Sequence, residues 1–239
     1  MRRPLSRREM LGIMAGLGVA GCDAKQPKAG MLGRMERVNR RVESFLLSDK
    51  EITAGDITPP MAFPSYHVAP GTPVMPDGWQ LIVSGTGVAK PLALTLDELM
   101  KLPSKTFRIE HHCVEGWSAI AEWTGVPLYE VARLAGLKDT SASGKDVAYV
   151  EFRSFDVPRG WTRGYWSSWD RASALHPQTL LAYGMNGKPL TPAYGAPLKV
   201  YSPVKLGYKN VKYLSEVNFL DVETGGYWEN SGYEWFGGV

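Results

Sequence analysis

Apolar residues cluster early in the chain, over Met10–Ala20, and afterwards recur at the spacings of short strands and helices. The early run is too short to span a bilayer as a permanent helix. A helical pattern covers Met35–Ser48, whereas residues 61–78 are proline-rich and read as loop. "WQLIVSG" (79–85) predicts a strand. In "LTLDELMKLP", Thr95 with Glu98 three residues later forms a capping box, and the helix it opens should run to Leu102 before Pro103. "KTFRIEHHC" alternates as a strand, with Phe107, Ile109 and His111 on one face and Arg108, Glu110 and His112 on the other. Cys113 falls at its end, where a turn would present it to a cavity. "VPLYEVARLAGL" (126–137) is helical, with an apolar stripe of Leu128, Val131, Ala132 and Ala135 and Gly136 as its cap. "DVAYVEFRS" predicts a strand, and a short helix follows near Trp169–Leu175. Asn186-Gly187 between two apolar runs signals a hairpin. "GAPLKVYSP" and "KYLSEVNFLD" complete a strand-rich second half. No repeat or heptad is present, and the class is α+β with mixed sheets and short peripheral helices.

The first 22 residues have their own logic. Arg7-Arg8 ahead of the apolar run matches a twin-arginine export signal, and Val19-Ala20-Gly21-Cys22 matches a lipobox. Residues 1–21 are therefore expected to be removed on export to the periplasm, with Cys22 lipidated as a membrane anchor. Residues 22–60 are expected to form a tether and peripheral segment, and residues 61–239 the working domain. Removing the signal also changes the charge balance. It holds four of the 27 Lys+Arg and one of the 24 Asp+Glu, which leaves 23 of each. A neutral mature chain gives no electrostatic footing for nucleic-acid binding. About 218 residues remain, enough for one domain with a substantial core. Eight Trp, eleven Tyr, 26 Gly and 17 Pro favour short strands and turns over a helical bundle.

Once Cys22 is set aside, Cys113 is the one thiol left in the body, so no internal disulfide forms. From the residues alone four readings of Cys113 stay open. It can be a buried small hydrophobe, or a nucleophile with His111 or His112 as base. It can be a zinc ligand, although only His67 and His176 remain as further histidines. It can also be the one protein ligand of a metal that a cofactor otherwise holds. A second cluster, "GAPLKVYSPVKLGYKNVKYL" (195–214), gathers Lys199, Lys205, Lys209 and Lys212 around a Gly207-Tyr208-Lys209 turn. Such a loop suits a phosphate, but the residues alone favour a solvated edge whose lysines discourage strand pairing.

"HHCVEGWSAIAEWTGVPL", "LHPQTLLAYGMNGKPL", the lysine cluster and the ending "GGYWENSGYEWFGG" together resemble the molybdopterin-binding domain of the sulfite oxidase family. They follow the family's order from about Trp79 to the end of the chain, and the resemblance is nearest to small exported bacterial members. It implies a mixed α+β fold with barrel-like sheet regions around the pterin. By resemblance, Cys113 is the thiolate ligand of molybdenum and Ser154 a hydroxyl contact to the cofactor. Gly207, Tyr208 and Lys209 hold the pterin's phosphate end, and Tyr66 and His67 reach the pterin from an upstream loop. Tyr194 stands where the family usually has His or Asn, and Lys199 replaces a usual Arg, losing the bidentate fork. The substrate funnel is expected to include His112, Arg108 and Trp117.

The chain ends at Val239, just after "GGYWE", and carries no C-x-x-C-H haem motif. The resemblance thus implies a monomeric, molybdenum-only subunit that exchanges electrons with a separate haem protein or cytochrome. The activity it implies is two-electron oxygen-atom transfer, with reduction of an S-oxide or N-oxide such as methionine sulfoxide as the leading reading. Sulfite oxidation and a non-catalytic lipoprotein that kept the fold are the alternatives.

Overall fold

The computed structural model describes residues 30–48, 51–59 and 62–239. The twin-arginine signal and Cys22 lie outside the described residues. The chain divides into two units, Met1–Leu46 and Leu47–Val239. In the first, helix α1 spans Gly30–Leu46, earlier at both ends than its periodicity suggested. No helix among the described residues is long and apolar enough to cross a membrane.

The second unit holds ten strands: β1 (Leu81–Ser84), β2 (Leu92–Leu94), β3 (Lys105–His112), β4 (Ser118–Pro127), β5 (Tyr149–Ser154), β6 (Trp166–Asp170), β7 (Leu180–Met185), β8 (Lys188–Pro189), β9 (Lys199–Tyr201) and β10 (Leu214–Leu220). Three short helices accompany them: α2 (Leu96–Met100), α3 (Leu128–Leu134) and α4 (Arg171–Ala174). One sheet has the order β2-β1-β10-β5-β6, with β1 and β10 parallel and the other pairs antiparallel. The second runs β3-β4-β7-β8, with β9 also on β7, and is antiparallel throughout. The expected barrel-like region is absent: among the described residues the strands form two separate five-stranded sheets, neither closed on itself.

Local chemistry explains most element ends. Thr95 and Glu98 make the reciprocal capping box, and α2 stops at Met100, two residues short of expectation. The helix expected over 126–137 is shorter because Val126 and Pro127 still belong to β4. Gly136 closes it in the left-handed region at φ 64°. Trp169 belongs to β6, and Asp170 caps α4 by accepting from the Ser173 N–H at 2.7 Å. Asn186 and Gly187, at φ 52° and 71°, turn β7 into β8 as the two-residue hairpin signal required.

Two apolar cores follow from the two sheets. One gathers Leu81, Val83, Phe152, Trp169, Val217 and Phe219 with Leu128 and Val131 of α3. The other holds Ile109, Ala121, Trp123, Leu180, Ala182 and Tyr201, with Phe63 from the loop before β1. Register places the inward face of β3 on that second core: Phe107 pairs with Trp123, Ile109 with Ala121 and His111 with Ala119.

Candidate active site

The β3–β4 hairpin turns through residues 113–117. The Cys113 N–H donates to the Trp117 carbonyl at 2.9 Å, and the Gly116 N–H returns to the Cys113 carbonyl at 3.0 Å. Gly116 sits at φ 89°, a conformation that favours glycine, so the turn depends on it. This geometry leaves Cys113 a half-buried free thiol on the wall of a cavity of about 160 Å³. The loop before β1 contributes Phe63, Tyr66 and His67 to the lining, and β9 contributes Lys199. Further lining comes from residues 207–213, from the end of β5 and from the C-terminal segment.

The alternation of β3 decides which histidine faces the cavity. His111 lines it, 5.6 Å by ring centroid from Trp117 and 5.7 Å from Tyr201. Burial first, then the nearby ammonium of Lys199, hold its imidazole down to about 3, so it is neutral. A Cβ on Gly207 would stand 2.7 Å from His111 Nε2, which explains why glycine occupies that position. His112 and Arg108, expected in a substrate funnel, lie on the opposite strand face and do not line the cavity. Arg108 instead reaches Glu122 across the sheet at 4.0 Å. Trp117 does line the cavity.

The four lysines of the 195–214 cluster have different fates. Lys209 does not line the cavity: its ammonium is buried against Glu229 and donates to the carbonyls of Ser168 at 2.9 Å and Trp235 at 2.6 Å. The physical reason is a buried carboxylate on the far side, so its role as a phosphate cation is not supported. Lys205 is likewise turned inward, to Asp170 at 3.0 Å and the Phe236 carbonyl at 2.5 Å. Lys212 faces the cavity but donates to the Ala193 and Tyr66 carbonyls at 2.7 and 2.8 Å; burial pulls it down to about 8, against the attraction of Asp156.

Lys199 is different. Only 4% exposed, it lies 4.6 Å over the Trp123 ring and 5.0 Å over Tyr201, and among the described residues no carboxylate pairs with it. Burial pushes its ammonium well below the ordinary lysine range. Trp123 Nε1 and Tyr201 Oη are buried beside it without hydrogen-bond partners. Of these, Lys199 and Trp123 line the cavity, and a lysine there with no paired carboxylate suits an anionic ligand.

The other candidates line the cavity with their polar groups already engaged. Ser154 Oγ accepts from the Asp156 N–H at 2.9 Å. Tyr194 Oη donates to the Phe63 carbonyl at 2.9 Å. His67 Nδ1 lies 3.0 Å from Tyr213 Oη, and its Nε2 lies 3.1 Å from Ser65 Oγ. Gly207 and Tyr208 line it through the 3-10 turn Gly207–Lys209, which Asn210 secures by donating to the Lys205 and Leu206 carbonyls. Sequence reasoning missed Trp123, Asp156 and Tyr213, which line the cavity. Tyr213 adopts φ 54°, a strained conformation for a tyrosine, and no residue pattern announces it. Among the described residues no cluster of three or more His, Cys, Asp or Glu side chains could hold a metal by itself. A metal here would need a ligand set beyond the protein.

The chain matches the oxidoreductase molybdopterin binding domain over residues 68–228. It is 37% identical, over 99% of its own length and 87% of the relative's, to a putative protein-methionine-sulfoxide reductase subunit YedZ1 of Azospira oryzae. It is 32% identical to the protein-methionine-sulfoxide reductase catalytic subunit MsrP of Xanthomonas axonopodis pv. citri, over 90% of this chain and 70% of that one. In structure it is similar to the sulfane dehydrogenase SoxCD of Paracoccus pantotrophus, with a TM-score of 0.58 and 22% identity over 76% of this chain and 46% of that one, a likeness of fold. Cavity, lone thiol and matched domain converge: the chain belongs to the molybdopterin-binding oxidoreductases of the sulfite oxidase family.

Proposed function

We propose that this protein is a periplasmic oxidoreductase that reduces an S-oxide, methionine sulfoxide in peptides or proteins being the leading substrate. Bound in the cavity, molybdopterin would supply a molybdenum centre capable of two-electron oxygen-atom transfer. The balance is one sulfoxide, two electrons and two protons giving one thioether and one water. The electrons would come from a separate haem-bearing carrier, a reading that the naming of a relative as a catalytic subunit supports.

The residues present fit the cofactor. Cys113 offers a soft thiolate at the cavity wall, deprotonated on metal binding with release of a proton. Lys199 and Trp123 line that cavity, and among the described residues no carboxylate pairs with the Lys199 ammonium. Tyr66, His67, Ser154, Tyr194, Gly207 and Tyr208 line the same space and would complete the pterin's surroundings. Lys209 would act only through its backbone, its ammonium being held by Glu229. His111 stays neutral, stacked at 5.7 Å from Tyr201, which suits a group that shapes the site without adding charge.

The observation that carries the reading is the pairing of Cys113 with the unanswered Lys199 in one cavity. A neutral sulfoxide is favoured over sulfite because among the described residues no arginine lines the cavity, and Lys212 is already bonded to carbonyls. The names of the relatives point the same way. The test is turnover: purified holoenzyme with reduced viologen should reduce methionine sulfoxide. Turnover only with sulfite and an electron acceptor would reverse the direction proposed.

A further inference from the structure

Helix α1 carries its apolar residues on an exposed side. Met35, Val38, Val42 and Phe45 are 51%, 51%, 50% and 87% exposed, and Leu46 is 69% exposed. At 100° per residue these five fall within an arc of about 100°, one continuous stripe. Arg34, Arg37 and Arg41, all exposed, run along the edge that Phe45 marks. The acids lie on the other side of the wheel, where Glu36 pairs with Arg40 at 2.5 Å and Glu36, Arg40 and Glu43 are half-buried. The helix therefore presents an apolar stripe bordered by cations with no acid among them.

Charge is segregated between the helix and the rest of the chain. Residues 30–46 hold four arginines and two glutamates, whereas residues 49–239 hold 17 Lys+Arg against 20 Asp+Glu. An anionic surface would attract the helix and repel the larger unit. With six charged residues in 17, α1 is built to lie on a membrane rather than to cross it. We propose that α1 is a membrane-surface helix, which seats its Met35–Val38–Val42–Phe45 stripe in the headgroup region of an anionic phospholipid bilayer with Arg34, Arg37 and Arg41 on the lipid phosphates. α1 would add a surface attachment beside the lipid expected on Cys22, eight residues upstream, and it would hold the enzyme where a membrane-bound electron donor can reach it. The inference concerns a different surface from the cavity and stands apart from the substrate reading.

Vesicle flotation tests it. The holoenzyme at its expected mature length, with Cys22→Ser so that no lipid contributes, is mixed with phosphatidylcholine vesicles with and without phosphatidylglycerol. Binding should require phosphatidylglycerol and weaken in about 0.5 M salt. Val42→Asp with Phe45→Asp should lower it at least about tenfold, with molybdenum content and sulfoxide turnover unchanged because neither residue lines the cavity. Arg34→Gln, Arg37→Gln and Arg41→Gln together should remove the salt-sensitive part. Absence of binding, binding that the aspartates leave unchanged, or retention only on membranes that contain the redox partner would each overturn the proposal. The last outcome would assign the stripe to a protein.

Discussion

A buried ammonium is unfavourable unless an anion answers it, and two lysines of this protein meet that demand in opposite ways. Lys209 has Glu229, itself 6% exposed, so Glu229→Gln should destabilise the fold by about 3–5 kcal/mol in urea titration. Lys199 has only the faces of Trp123 and Tyr201. Lys199→Met should stabilise the cofactor-free protein by on the order of 1–3 kcal/mol, while lowering cofactor occupancy about tenfold. A merely structural lysine would not move these two readouts in opposite directions. Lys205 adds a pH dependence. Burial outweighs the attraction of Asp170 and holds its ammonium down to about 8, below the ordinary 10.5. Between those values the unfolded chain binds more protons than the folded one, so this group's contribution to stability rises with pH. The gain in urea midpoint from about pH 7.5 to about 9.5 should therefore be smaller in Lys205→Met than in the wild type.

At this scale the sequence told part of the truth. The alternation of β3 put His111 and His112 on opposite faces, but which face met the cavity depended on Trp123 and Tyr201, distant in sequence and stacked 4.2 Å apart. For Lys209, the "GYK" spelling is silent on a carboxylate twenty residues later.

At the scale of elements, the Gly207–Lys209 loop owes its shape to the C-terminal segment. The Leu206 N–H donates to the Gly237 carbonyl at 2.8 Å, Tyr208 Oη to the Glu234 carbonyl at 2.5 Å, and Trp235 Nε1 to Ser168 Oγ at 2.9 Å. A Cβ on Gly237 would meet Tyr208 Oη at 2.6 Å. On the cavity side, Gly207→Ala would press a methyl against His111, and it should lower cofactor content more than thermal stability, as metal analysis and melting would show. Elements with strong local signals were legible: the capping box of α2, the Asn186-Gly187 turn and the alternation of β3. The starts of α3 and α4 were less so, because β4 and β6 extend by tertiary pairing into Val126, Pro127 and Trp169, where the helical spacing had been read to begin. The separation into two sheets rather than a barrel is a matter of long-range pairing, β1 with β10 above all, which no local window contains.

For the molecule as a whole, the account rests on one thiol. Cys113 is placed by a glycine-dependent turn at the wall of a cavity that Lys199 also lines, with no carboxylate paired to that lysine among the described residues. Cys113→Ser should lower sulfoxide turnover by at least about a hundredfold, yet leave the urea midpoint nearly unchanged because the side chain is half-buried in a turn. The most direct test is X-ray absorption at the molybdenum edge on purified wild-type and Cys113→Ser protein. The account predicts molybdenum in the wild type with one more sulfur neighbour than in Cys113→Ser. Molybdenum with the same sulfur coordination in both, or a folded wild type without molybdenum, would contradict it.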